Sequence, residues 1–139
     1  MELLLPSDVK VGKSLQDKEA IERPVGKLID GELALDIGSA TAQRFSKVIA
    51  AAKTIFWNGP MGLFESEPFA AGTMAVAKAM SQADGYTVVG GGDSAAAVRQ
   101  AGDAVAGAFN HISTGGGASL ALIEGKRLPG IQALRRNSG

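Results

Sequence analysis

Thr54-Ile55-Phe56-Trp57 running into Asn58-Gly59-Pro60-Met61-Gly62, Tyr86-Thr87-Val88-Val89 running into Gly90-Gly91-Gly92-Asp93, and Phe109-Asn110-His111-Ile112-Ser113 running into Thr114-Gly115-Gly116-Gly117 state one pattern three times. Each is a β-prone run, a glycine-rich turn and then apolar residues at helical spacing. After the first turn the helical face is Phe69, Thr73, Val76, Ala77 and Met80. After the second it is Ser94, Ala97, Val98 and Ala101, with Gly102 expected as a left-handed stop. After the third it is Leu120, Leu122 and Ile123, stopped by Gly125. Strands alternating with helices, each strand apolar on both faces, predict an α/β fold: a parallel sheet flanked by helices in a three-layer, Rossmann-like arrangement.

Upstream the signals weaken. Glu2-Leu3-Leu4-Leu5 reads as a short buried strand stopped by Pro6, which cannot donate to a ladder. Ser7 to Asp30 is polar and charge-mixed, so an exposed connection with at most short elements is expected. Leu33-Ala34-Leu35-Asp36-Ile37-Gly38 reads as a short extended piece. Ser39 or Thr41 then serves as the cap of a helix buried through Phe45, Val48, Ile49 and Ala52. Downstream, Lys126 to Gly139 is a short tail with a Pro129-Gly130 turn.

Composition bounds the function. The 139 residues and 45% hydrophobic content suit one compact domain. Lys+Arg and Asp+Glu number 14 each with no block of like charge, so the uniformly basic face that duplex nucleic acid demands is not expected. There is no cysteine and one histidine, which excludes disulfide scaffolds, thiolate zinc sites and multi-histidine metal centres. Apolar stretches break well short of the roughly 18 residues of a membrane span, and the first residues lack a basic leader, so a soluble, unsecreted protein is expected. Glycine is in excess, with 19 residues, about twice the usual share of roughly 7%.

In a parallel sheet the strand-to-helix turns share the edge formed by strand C-termini, where open sheets bind ligands. Glycine there lets successive N–H groups line a concavity, and each following helix adds positive character at its N-terminus. Phosphate is the natural guest. Asp93 stands beside that site, where a carboxylate repels phosphate unless a cation intervenes. Magnesium bridging Asp93 and phosphate oxygens resolves the conflict, with Ser94 and its backbone N–H as a further phosphate contact. Taken alone, Asp93 reads equally as an N-cap; the two other glycine turns favour the metal reading. Glu65 follows the first turn and suits ribose hydroxyls, or equally a helix's first turn.

Other signals fall away. Gly12-Lys13-Ser14 looks like the end of a Walker A loop, but Ser7 stands where that pattern needs glycine. A dinucleotide GxGxxG is missing. His111 lies inside a strand run, where a core or near-core position is expected rather than a general base.

Trp57-Asn58-Gly59-Pro60-Met61-Gly62-Leu63-Phe64-Glu65, Gly90-Gly91-Gly92-Asp93-Ser94 and His111-Ile112-Ser113-Thr114-Gly115-Gly116-Gly117-Ala118-Ser119-Leu120, with Glu124-Gly125-Lys126 and Leu128-Pro129-Gly130, resemble phosphoglycerate kinase. The resemblance runs from about Leu3 to Leu134 and corresponds to the last third or so of such a kinase, the second half of its C-terminal lobe. It implies phosphoryl transfer between ATP and 3-phosphoglycerate in a two-lobed cytoplasmic enzyme. Residues 1–139 are then one partial nucleotide-binding domain.

Carried over by motif, Glu65 holds the ribose, Asn58 and Pro60 line the nucleotide pocket, and Leu35 packs on adenine. Gly91, Gly92, Asp93 and Ser94 hold phosphates and magnesium, with Asp93 the metal ligand. Thr114, Gly115, Gly116 and Gly117 open a helix facing the transferring phosphoryl group. Ser94 replaces the family's usual threonine and keeps the hydroxyl. Ala34 replaces a usual glycine in the adenine pocket, and Ser39-Ala40 replaces a usual proline-containing continuation.

The lobe that grips 3-phosphoglycerate and the GGAK-type segment with its lysine have no counterpart in this sequence. Losing such a charge costs on the order of 10³ to 10⁵ in rate, so the chain alone is expected to be nearly inactive. An unpaired sheet edge is expected to associate with the missing kinase segment or with another copy. The alternative is a non-catalytic nucleotide-binding or assembly module derived from a truncated kinase.

Overall fold

The computed structural model describes residues 2–113, which form two three-stranded sheets. The parallel sheet follows the repeated pattern. Its strands are β4 (Thr54–Asn58), β5 (Tyr86–Gly90) and β6 (His111–Ile112), in that order. The strands β4 and β5 align residue for residue, from Thr54 opposite Tyr86 to Asn58 opposite Gly90. The connecting helices are α2 (Ala71–Gln82), α3 (Gly92–Gln100) and the short α4 (Asp103–Gly107). The fold is therefore α/β, a parallel sheet flanked by helices.

Helix α2 is alanine-rich and buries Thr73, Val76, Ala77 and Met80, the face expected from its spacing. With Trp57, Phe64, Val89, Val98 and Phe109 these apolar residues form the core. Phe69 is also buried, but in a 3-10 turn (Glu67–Phe69) ahead of the helix.

The second sheet was not foreseen. Strands β1 (Asp8–Gly12), β2 (Ile21–Pro24) and β3 (Leu33–Ile37) pair antiparallel in the order β2-β1-β3. The elements are short, but Val11 and Ile37 are buried, so residues 8–37 build a small layer rather than an exposed connection. Glu2–Leu5 is not a strand: Leu3 and Leu5 are 79% and 65% exposed, and the apolar run finds no sheet to join.

Helix α1 (Ser39–Ala51) follows β3, yet neither Ser39 nor Thr41 caps it. Gly38 is the N-cap, and the Asp8 carboxylate accepts the N–H groups of Ala40 and Thr41 at 3.1 and 2.9 Å. A carboxylate from a neighbouring strand does the work of a local cap. The expected buried face is half open. Val48 is 48% exposed, and Phe45 and Ile49 border an apolar groove of 220 Å³ completed by Leu4, Trp57 and Met80. Among the described residues the outer edge of β4 has no strand partner.

Two smaller expectations are corrected. Gly102 has φ +114° but an extended ψ of 162°; it stops α3 and starts α4, not as a left-handed cap. His111 is exposed because β6 is an edge strand among the described residues, so it is not a core histidine.

Candidate functional site

The first two glycine turns meet. Because Asn58 and Gly90 are opposite each other at the ends of parallel strands, the turns that follow leave the sheet side by side. Gly59 N–H donates to Ser94 Oγ at 2.6 Å, which ties the turn after β4 to the first turn of α3. Trp57 Nε1–H donates back to the Gly59 carbonyl at 2.6 Å. Gly59 and Gly91 have φ +101° and +95°, conformations that side-chain-bearing residues avoid. A Cβ on Gly91 would lie 3.1 Å from Asn58 Oδ1, so the Asn58 carboxamide sits directly against the second turn.

Deeper in the first turn, Thr73 Oγ1 accepts the N–H groups of Met61 and Gly62 at 3.1 and 3.3 Å. Leu63 N–H donates to the Leu35 carbonyl at 2.8 Å, bringing β3 alongside the same turn. Leu35 is therefore a neighbour of Gly62 and Leu63. Pro60 is half-buried and Glu65 is exposed on the segment beyond them. The adjacent Phe64 carbonyl accepts Gln100 Nε2–H at 3.1 Å.

Helix α3 begins at this rim. Ala95 N–H donates to the Gly91 carbonyl, so the N–H groups of Gly92, Asp93 and Ser94 precede the helical ladder and face an anion with positive character. The helix has no side-chain cap, and Asp93 is exposed in its first turn; the N-cap reading of Asp93 is thereby overturned. Ser94 is only 1% exposed. Oxygen ligands of this kind, one free carboxylate beside an N–H cluster, fit a magnesium ion shared with phosphate. Among the described residues no group of three or more acidic or histidine side chains forms a metal cage by itself. Ser113, the last described residue, lies against β5, its N–H donating to the Val89 carbonyl at 2.8 Å. Thr114, Gly115, Gly116 and Gly117 lie outside the described residues.

Sequence reasoning missed the groups that hold this rim. Trp57 and Thr73 were read as strand and core residues, and their polar atoms anchor the first turn. Asp36 was passed over within its extended piece. It is 4% exposed, and its carboxylate accepts the N–H of Ile37 at 2.9 Å and of Gly72 at 2.8 Å. Burial pushes its carboxyl above the ordinary range, against the pull of the Gly72 and Ile37 N–H groups and of Lys10. A charged residue inside an apolar strand run was the available signal.

Fold and rim together define a parallel α/β protein whose strand-to-helix turns gather at one edge of the sheet, the usual ligand edge of that class. The family model described as phosphoglycerate kinase matches residues 1–126. The chain belongs to the phosphoglycerate kinase family. It is 55% identical over 140 residues to the phosphoglycerate kinase of Leifsonia xyli subsp. xyli, covering 96% of this chain and 34% of that protein. It is 55% identical over 136 residues to that of an Anaeromyxobacter species, covering 96% and 33%. The structure of phosphoglycerate kinase from Coxiella burnetii superposes with a TM-score of 0.82 at 38% identity, covering 96% of this chain and 34% of that one. That from Pyrococcus horikoshii OT3 gives 0.74 at 36% identity, covering 94% and 32%. The chain thus spans about a third of the length of the relatives it matches.

Proposed function

We propose that this chain is the ATP/ADP-binding segment of a phosphoglycerate kinase, the glycolytic enzyme that moves a phosphoryl group between 1,3-bisphosphoglycerate and ADP, giving 3-phosphoglycerate and ATP. The observation that carries the reading is the junction of Asn58, Gly59, Gly91 and Ser94 through the Gly59–Ser94 hydrogen bond, which gathers two glycine turns at one rim. Leu35 lies on the adenine side of that rim, Pro60 lines it and Glu65 is free to accept ribose hydroxyls. The N–H groups of Gly91, Gly92, Asp93 and Ser94 cradle phosphate, and Asp93 holds magnesium. When bound, magnesium neutralises charge between the phosphate oxygens. By motif, Thr114 is assigned to the nucleotide set, and Gly115, Gly116 and Gly117 to the transferring phosphoryl group.

In this reading residues 1–139 are one partial nucleotide-binding domain of a cytoplasmic protein, with neither nucleic acid nor membrane as partner. Among the described residues no helix is long and apolar enough to cross a membrane. 3-Phosphoglycerate is gripped by parts of the kinase outside residues 1–139, so these residues by themselves turn over little. The edge of β4, unpaired among the described residues, and the apolar groove beside α1 support association with the remaining kinase segment or with a second copy.

Calorimetric titration with MgADP tests the function. Binding at millimolar nucleotide or tighter is expected; no heat from the chain alone, and none after the remaining kinase segment is supplied, defeats it. The second reading is a non-catalytic nucleotide-binding or assembly module derived from a truncated kinase. Phosphoglycerate turnover by the isolated chain excludes that module.

A further inference from the structure

Resting on the nucleotide-binding reading, we infer that the Ser94 hydroxyl is a positioning group: jointly with Trp57 it fixes Gly59 through the peptide groups on either side of that residue. Both faces of this one peptide residue are held. Ser94 Oγ accepts its N–H at 2.6 Å from α3, and Trp57 Nε1 donates to its carbonyl at 2.6 Å from β4. Gly59 sits at φ +101°, a conformation open to glycine and avoided by other residues. Clamping this peptide sets the path of Asn58, whose Oδ1 lies where a Cβ on Gly91 would reach it at 3.1 Å. The two phosphate-cradling turns are thereby locked at one separation.

Gly92 and Asp93 open to solvent at the rim, whereas Ser94 is 1% exposed and its oxygen accepts the Gly59 N–H. Trp57 is the single tryptophan, so its emission reports the clamp directly.

The 139-residue chain is compared with Ser94→Ala, Ser94→Thr, Trp57→Phe and the double variant. Three quantities are measured: exchange of the Gly59 amide by NMR, Trp57 emission without nucleotide in the variants that keep the tryptophan, and MgADP affinity. Ser94→Ala is expected to speed Gly59 exchange and shift Trp57 emission before any nucleotide is added. It weakens MgADP binding by about ten-fold, as expected when a half-buried N–H loses its acceptor. Ser94→Thr restores all three. Because both side chains act through one residue, Gly59, the double variant loses less than the product of the single losses. Unchanged exchange and emission in Ser94→Ala, or losses that multiply in the double variant, overturn the inference. Should Ser94→Ala fail to fold, Trp57→Phe must still speed Gly59 exchange and weaken MgADP, and failure to do so overturns it equally. If the unaltered chain binds no MgADP, and none after the remaining kinase segment is supplied, the nucleotide reading falls and the positioning role with it, while the exchange and emission results still show whether the clamp exists.

Discussion

The Asp36 carboxylate accepts the Gly72 N–H at 2.8 Å, joining β3 to the first turn of α2 across 36 positions of sequence. The approach is close enough to forbid a side chain at position 72, where a Cβ would run into the Asp36 carboxylate and Ile37. Gly62 meets the same obstacle, since a Cβ there would lie 2.5 Å from the Leu35 carbonyl and 2.6 Å from Asp36 Oδ1. One buried carboxylate therefore sets the residue type at two distant positions.

Gly72→Ala is expected to destabilise the fold by roughly 1–3 kcal/mol, the usual cost of overpacking where backbone and a fixed carboxylate must yield. The midpoint of urea unfolding measures it, and an unchanged midpoint refutes the close approach.

The ionisation of Asp36 opposes folding. Burial raises its folded pKa above that of the unfolded chain, so the native state binds the proton more readily, and stability falls as pH rises between the two values. Asp36→Asn removes this dependence. Relative to the parent, its stability is expected to be greatest at neutral pH and to decline towards acid, as read from unfolding curves at about pH 7 and about pH 4.

Asp8 acts in the opposite sense. Burial pushes its carboxyl up, but the Thr41 hydroxyl and the N–H groups of Thr41 and Ala40 together outweigh that and hold it below the ordinary range. Its stabilisation is in full above the unfolded-chain pKa and is lost as pH falls through the folded value. Asp8→Ala is expected to cost about 1 kcal/mol near neutrality, the typical loss of a helix cap, and to flatten the acid limb of the stability profile. A parallel offset at every pH would contradict the capping role.

Asp93→Asn is expected to weaken ADP binding about ten-fold when magnesium is present and to leave magnesium-free binding unchanged. Paired titrations with magnesium and with a chelator make the comparison. Equal losses in both would remove Asp93 from the metal site.

Much of this was readable in advance, for local reasons. Thr54–Asn58 and Tyr86–Gly90 declare themselves because an apolar run beside glycine and then a 3.6-residue period has few other solutions. The rim followed from parallel topology alone, which obliges Asn58 and Gly91 to be neighbours. The antiparallel sheet was hidden because β2 pairs Ile21, Glu22 and Arg23 at a half-exposed edge, where no apolar alternation is required. Thr41 was misread as a cap for a related reason. It is completely buried, its hydroxyl accepts the N–H groups of Ser7 and Asp8, and the true acceptor for the helix end lies 33 residues earlier. Asp36, Trp57 and Thr73 share that difficulty, since their hydrogen-bond partners are set by tertiary packing.

Helices α1 and α2 both borrow an aspartate from the antiparallel layer to finish their first turns, and in each case the aspartate comes earlier in the chain. On a ribosome, where residues emerge at about 5–20 per second, Asp8 and Asp36 are synthesised seconds before the amide groups they will accept. Vectorial synthesis thus delivers each acceptor ahead of its donors. A circularly permuted gene that placed residues 8–37 last would reverse that order and leave two nascent helices with frayed beginnings until translation ended.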